Sequence, residues 1–328
     1  NNATVLCKVL LFADISDGFL KISIFLLCRR LKQLIFAAFY AIIIIMINII
    51  ANIRSGRGLG LRSLKKVTAY LADHSIDYTL YVTNYKGHAT QIAHDVSKNG
   101  GTVIAMGGDG TFHDVLNGIA DMENTTVGFI PAGKGNDFTR SAGFSLNPIK
   151  ALKDILDGKT RKIDYIKISD KRCLNIAGTG LDVKVLELAY SKSGLTYIGS
   201  LIYWINHMVP CNATVTIDDG QPVKYSCIMV GVCNGKAFGG NIRICPVAEI
   251  NDGYIDVIIM QMPQKGNIMK LLTKFVKGKH MDMPITTHFR CKKVHIESDA
   301  DIELDGEIYK NLSFDCEIVP NGLTIYTP

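Results

Sequence analysis

From Met46 onward the chain alternates short apolar runs with amphipathic stretches of helical period. The runs at 46–51, 77–83, 102–106 and 126–130 predict strands, and stretches near 62–73, 88–98 and 112–120 predict helices between them. Such alternation implies a parallel sheet with helices on its faces. Beyond about Asp164 the texture changes. Period-two alternation at 172–178, 213–218, 223–233, 254–260, 292–297 and 301–304 predicts strands, interrupted by helical stretches near 182–190 and 264–277. The expected fold class is α/β with two domains, an N-terminal parallel α/β domain over 46–165 and a mainly antiparallel β-rich second domain over 166–310.

Composition narrows the classes. The 328 residues are 48% apolar and 20% charged, which excludes disorder, collagen and coiled coil. A net charge of +6 is too mild to call for nucleic acid, so none is expected as a partner. Half of that charge sits in residues 1–45, where Lys8, Lys21, Arg29, Arg30 and Lys32 face only Asp14 and Asp17. Past position 45 there are 31 basic and 28 acidic residues, a body close to neutral.

The leader runs into an apolar stretch, Leu34 to Ala51, with seven isoleucines between Ile42 and Ile50. One reading is a membrane anchor, basic on its N-terminal side. The preferred reading assigns 46–51 to the first strand of the sheet, which leaves too few apolar residues for a span. Met46 is the first methionine, so residues 1–45 are expected to be upstream sequence of doubtful status. Nine scattered cysteines with no Cys-x-x-Cys pair argue against a zinc site or a disulfide framework and for reduced thiols in a cytoplasmic body.

The densest chemistry lies at Gly107-Gly108-Asp109-Gly110-Thr111-Phe112-His113-Asp114, where an apolar strand meets a glycine turn and a helix start. Glycines allow close backbone approach, and helix-terminal N–H groups favour phosphate. A carboxylate at such a turn is costly unless a metal ion or an incoming hydroxyl uses it, although Asp-Gly is also an ordinary turn. Gly128 to Lys134 imitates a Walker A loop but lacks the following Ser or Thr and carries Pro131, so it is set aside.

Together with Asn117-Gly118, this turn resembles the nucleotide signature of the diacylglycerol kinase catalytic family, particularly its soluble bacterial lipid kinases. Asn52-Ile53-Arg54-Ser55-Gly56, Thr83 with Lys86-Gly87-His88-Ala89, and Pro131 to Arg140 with its Asn136-Asp137-Phe138 block resemble further family segments in the same order. So do Asn234 to Gly240, Pro246 to Tyr254 and Asp305-Gly306-Glu307. The resemblance covers about Met46 to Pro328. It departs at Ile53, where the family has proline, at Asp114, where it has glutamate, and at Lys134, where it has threonine.

The resemblance implies a nucleotide-binding first domain, to which about 311–328 return, and a lipid-substrate second domain. It implies ATP held by Asn52 to Gly56, Thr83 and Gly107 to Asp114, with Lys134 near the phosphates. It implies a magnesium ion on Asp252 with main-chain oxygens of Glu249 and Tyr254, Glu307 as general base and Asp109 as a second catalytic carboxylate. The expected reaction is transfer of the γ-phosphate to a lipid hydroxyl, most plausibly that of diacylglycerol. Asp305-Gly306 between Ile302, Leu304 and Ile308 also reads as a plain type I′ hairpin. Two rivals stand beside the lipid kinase, an NAD kinase, which shares the Gly-Gly-Asp-Gly turn, and a non-catalytic nucleotide- or lipid-binding regulator. Lys265 to His280 has no acidic residue and places Leu271, Leu272, Phe275 and Val276 near one face, so it is read either as a contact for an anionic membrane surface or as a core-packing helix. Exposed strand edges in the second domain allow a homodimer.

Overall fold

The structure is a computed structural model and describes residues 47–191, 195–262 and 268–328. The leader and its anchor reading lie outside the described residues, as does the start of the Lys265 to His280 stretch. Among the described residues no helix is long and apolar enough to cross a membrane.

Glycine punctuates the first half. Strand β1 (Ile47–Ala51) leads into a loop closed by Gly58 at φ 95°, so α1 (Leu59–Asp73) starts three residues before its apolar stripe. There follow β2 (Tyr78–Val82), α2 (His88–Val96), β3 (Gly101–Gly107), α3 (Asp109–Gly118) and β4 (Thr125–Pro131). Helix α3 also begins three residues earlier than its apolar pattern, because its first turn faces a cavity. A short α4 (Asp137–Ser141) precedes α5 (Pro148–Leu156), which Asn147 caps through its side-chain oxygen.

Strand β5 (Thr160–Ile168), read in the sequence only as a boundary, is nine residues long. The segment predicted as one strand at 172–178 is two, β6 (Lys171–Cys173) and β7 (Ile176–Gly180), interrupted at Leu174 and Asn175. Helices α6 (Leu181–Tyr190) and α7 (Tyr197–Asn206) lead into β8 (Cys211–Ile217), β9 (Val223–Cys233) and β10 (Ile255–Gln261). The chain closes with α8 (Ile268–Val276), β11 (Thr286–Cys291), β12 (Lys293–Ser298), β13 (Ile302–Leu304), β14 (Glu307–Tyr309) and β15 (Phe314–Tyr326).

Strands β1 to β4 are parallel in the order β2-β1-β3-β4, and nearly all later pairings are antiparallel. Strand β15 joins the halves. Its start pairs with β12, Thr324 and Ile325 pair in parallel with β4, and β5 lies antiparallel along most of its length. Residues 47–328 accordingly make one compact unit whose strands form a single sheet. Apolar residues fill both faces. Phe129 is ringed by Phe112, Phe138 and Phe144 at centroid distances of 4.9, 5.0 and 6.3 Å on one side of the parallel half. Leu64, Val67 and Leu71 of α1 cover the other. The described part of 268–276 is a core-packing helix, with Leu272 and Phe275 buried against Leu201 and Ile205 of α7.

Candidate active site

Three loops meet at the carboxyl ends of β1, β3 and β4, where open α/β sheets bind their ligands. The Asn52 backbone N–H donates to Met106 O at 2.9 Å and the Ala132 N–H to Gly107 O at 2.6 Å. The Ser55 hydroxyl donates to Asn52 O and to Ala132 O, tying the first loop to the third. The contact requires glycine, since a Cβ on Gly133 would lie 2.4 Å from the Gly108 Cα. Gly108 is extended and caps α3, so the helix N-terminus opens directly onto the loops.

The β13–β14 hairpin approaches from the opposite side. Asp305 and Gly306 both have positive φ, 51° and 89°, which makes the two-residue turn expected of Asp-Gly and pairs Leu304 with Glu307. The turn is also part of the site. The buried Asp305 carboxylate accepts from the Leu174 and Asn175 N–H groups at 3.0 and 2.8 Å, from the Cys173 thiol at 3.1 Å, and meets His113 Nδ1 at 3.0 Å. His113 Nε2 meets the Tyr309 hydroxyl at 2.7 Å. Helix α3, the β6–β7 break and the hairpin are therefore pinned to one carboxylate. Glu307 is held over the first turn of α3, with Oε1 facing Gly110 closely enough that a Cβ there would lie 3.0 Å away. Its Oε2 accepts from Lys86 Nζ at 2.7 Å.

Between the loops and the hairpin lies a cavity of about 920 Å³. Asn52, Arg54, Ser55, Gly56, Thr83, Gly108 to Asp114, Lys134 and Glu307 all line it. Ile53 and Gly107 do not. Ile53 is partly buried and packs against the core that α1 covers, and Gly107 ends β3, where a Cβ would strike the Thr111 side chain at 2.3 Å. The far wall comes from α6, the start of α7 and β13, and brings in Asp182, Tyr190, Tyr197, Ile198 and Glu303. None of these was singled out from sequence, because an isolated carboxylate or aromatic in a second-domain element carries no spacing signal.

The cavity is rich in buried acid. Burial first, and the charge of Asp137 second, raise Asp109 to about 7. Burial likewise raises Asp137, partly offset by N–H groups of Gly240 and Asn241 that donate to it. Both carboxylates crowd Gly135, where a Cβ would lie 2.9 Å from Asp137 Oδ2 and 3.0 Å from Asp109 Oδ2. Asp109 Oδ2 and Asp137 Oδ2 are the oxygens here that would hold a magnesium ion, and such an ion would favour the charged form of both groups. Deeper in, burial raises Asp182 to about 7, while burial and then the charge of Asp182 drive Glu303 well above the carboxylate range.

Glu249, Asp252 and Tyr254 lie outside this cavity. Asp252 Oδ1 accepts from its own Tyr254 N–H at 3.0 Å, and Oδ2 accepts from Arg290 Nη2 at 2.8 Å. The Arg290 guanidinium and the Lys292 ammonium both stand over the Tyr254 ring, at 4.3 and 5.8 Å. The counter-charge of Asp252 here is thus a guanidinium, which a magnesium ion held by Asp252 with the Glu249 and Tyr254 main-chain oxygens would have to displace. No chemical step is drawn through it.

A glycine-lined helix N-terminus, flanked by buried carboxylates and faced by a glutamate, defines a phosphate-handling α/β enzyme. Residues 46–168 match the diacylglycerol kinase catalytic domain, and residues 175–327 match the YegS C-terminal NAD kinase beta sandwich-like domain. A diacylglycerol kinase of Staphylococcus aureus (strain JH9) is 30% identical over 271 residues, covering 79% of this chain and 85% of the relative. Another, from Staphylococcus carnosus (strain TM300), is 29% identical over 294 residues, 86% of this chain and 94% of the relative. A crystal structure from Bacillus anthracis str. Sterne, described as a candidate diacylglycerol kinase, superposes with a TM-score of 0.73 at 25% identity, covering 86% of this chain and 95% of that one. The chain belongs to the diacylglycerol kinase catalytic family and is a lipid kinase.

Two outcomes follow from the buried acids. Burial alone would raise the Asp305 carboxyl, but the His113 hydrogen bond and charge, with the Leu174 N–H, hold it below its ordinary value. Its stabilisation is present above the unfolded pKa of about 3.9 and is lost as pH falls below that. Urea unfolding of Asp305→Asn at pH 7 is expected to show a loss of about 3 kcal/mol, shrinking below about pH 4. Asp109 runs the other way, since its raised pKa removes stability as pH climbs from about 4 to about 7. Asp109→Asn is expected to raise the melting temperature of the ligand-free protein by several degrees more at pH 8 than at pH 5, read by calorimetry.

Proposed function

We propose that the protein transfers the γ-phosphate of ATP, with magnesium, to the hydroxyl of a lipid alcohol, diacylglycerol foremost, giving a phosphatidic-acid-type product. The observation that carries this reading is Glu307 Oε1 over the first turn of α3, beside Asp109 and against Gly110. The α3 N-terminus, with Arg54, Thr83 and Lys134 around it, receives the phosphates. Magnesium, when bound at Asp109 and Asp137, offsets charge on the phosphate oxygens. Glu307 takes the acceptor's proton as the new O–P bond forms and the bond to the leaving ADP breaks.

The lipid enters from the α6–α7 side. Leu195 and Ile198 line the cavity, and they continue outward into Ile202 and Tyr203, all four between 40% and 46% exposed. No residue from Leu195 to Met208 carries a formal charge at neutral pH apart from any protonated His207. This apolar helix face supports peripheral contact with a bilayer. Because Leu272 and Phe275 are used in the core, α7 serves that role better than the apolar side of α8.

The test is incubation with labelled ATP and magnesium, offering diacylglycerol in vesicles, other lipid alcohols or NAD. Label should enter a lipid, and Glu307→Gln should lower kcat on it by about 10²- to 10⁴-fold with little change in KM for ATP. Label entering NAD alone, or an undiminished kcat in Glu307→Gln, would overturn the assignment.

A further inference from the structure

The second half of the chain holds a polar cluster that the proposed phosphoryl transfer does not use. We propose that Cys245, Asp256 and His288, with Cys233 beside them, form a zinc-binding centre on the helix-covered face of the β9–β10–β11 sheet.

Topology brings the four together. Asp256 on β10 lies directly opposite Cys233 on β9 and Arg290 on β11, and His288 stands two residues along from Arg290. Direct cross-strand partners, and residues two apart on one strand, send their side chains to the same face, so Cys233, Asp256 and His288 share a side of the sheet. Cys245 enters from the loop between β9 and β10. The donor atoms of Cys245, Asp256 and His288 all lie within 4.8 Å of one another, and the Cys233 and Cys245 thiols share a hydrogen bond.

The surroundings make the cluster expensive unless it is used. Cys233, Ile244, Cys245, Ile258, Leu272 and Phe275 belong to one buried apolar core. Asp256, 3% exposed, is placed beside it and is hydrogen-bonded to His288 Nε2 at 2.7 Å. A carboxylate taken that far from water needs a cation. The His288 side chain is partly open to solvent, which gives an ion a way in.

The donor set selects the metal. Two sulfurs, one imidazole nitrogen and one carboxylate oxygen are the borderline mixture that zinc takes in four-coordinate sites, whereas magnesium wants oxygens alone. With bond lengths of about 2.0–2.3 Å, neighbouring donors of a tetrahedral zinc ion lie about 3.3–3.8 Å apart. The triad closes on an ion by shifts of about 1 Å, and the Asp256–His288 hydrogen bond opens by a similar amount. Burial, and then the hydrogen bond to Cys245, push the Cys233 thiol up. Each thiol that becomes a zinc thiolate releases one proton, and affinity therefore rises with pH. Because the ligands come from three strands and a loop, no Cys-x-x-Cys spacing announces them.

The experiment uses the whole protein, stripped with a chelator and kept reduced, and titrated with cobalt(II) and then zinc(II). One equivalent of cobalt should give the visible absorption of a tetrahedral thiolate site, zinc should bleach it, and zinc should raise the melting temperature. Second-sphere losses already weaken metal sites by about 10- to 100-fold, so His288→Ala, a change at a partly exposed ring, should weaken zinc by about 100-fold or more. Cys245→Ser should lose the cobalt–thiolate absorption, and Cys316→Ala, at a buried thiol elsewhere, should keep it. Absence of stoichiometric binding, or unchanged binding in His288→Ala with circular dichroism intact, would overturn the proposal.

Discussion

The site depends on a single buried carboxylate. Asp305 sits in a two-residue turn, yet it gathers bonds from His113 on α3, from Cys173, Leu174 and Asn175 at the β6–β7 break, and through His113 from Tyr309 on β14. An unpartnered carboxylate so deep would be untenable, and removing one of its partners leaves an uncompensated charge. The constraint is mutual, since the turn fixes the carboxylate and the carboxylate fixes the distance between α3 and the strand that carries Glu307. The aromatic cluster around Phe129 and the long β5–β15 pairing keep the two halves stationary relative to this knot.

Around the knot the protein accepts electrostatic cost. Asp109 with Asp137, and Asp182 with Glu303, are carboxylate pairs lining one cavity, each destabilised by burial, and Asp109 and Glu303 by the neighbour's charge as well. Such pairs make sense where cations or hydroxyl donors arrive with a substrate, and they set stability against function. Asp252 is the contrasting case. It has an arginine for a partner and needs no ion to be satisfied.

Much of the first half was legible in the sequence because its strands are short apolar runs, β3 and β4 closed by glycine and proline, and because the loops that follow them are contiguous. The loops at Asn52, Gly108 and Lys134 reach one cavity, as their order along the chain implied. The pattern gave way where local signals stop. Helix α7 is apolar almost all round, so it shows no polar face to mark its period. Strand β5 straddles the change of texture between domains, and β15 serves both halves, so neither reads as belonging to one. Asp182 and Glu303 enter the cavity from elements 121 positions apart in the chain, and only the β7–β13 pairing brings them near each other. Helix α3 starts before its apolar stripe because its first turn faces the cavity.

The most direct measurement is a double-mutant cycle on kcat for phosphoryl transfer to diacylglycerol, using the wild type, Asp305→Asn, Glu307→Gln and the double variant. If Asp305 acts by holding Glu307 over α3, its loss should lower kcat in the wild type and add little once Glu307 is gone. An equal fold-loss from Asp305→Asn in both backgrounds would contradict that coupling.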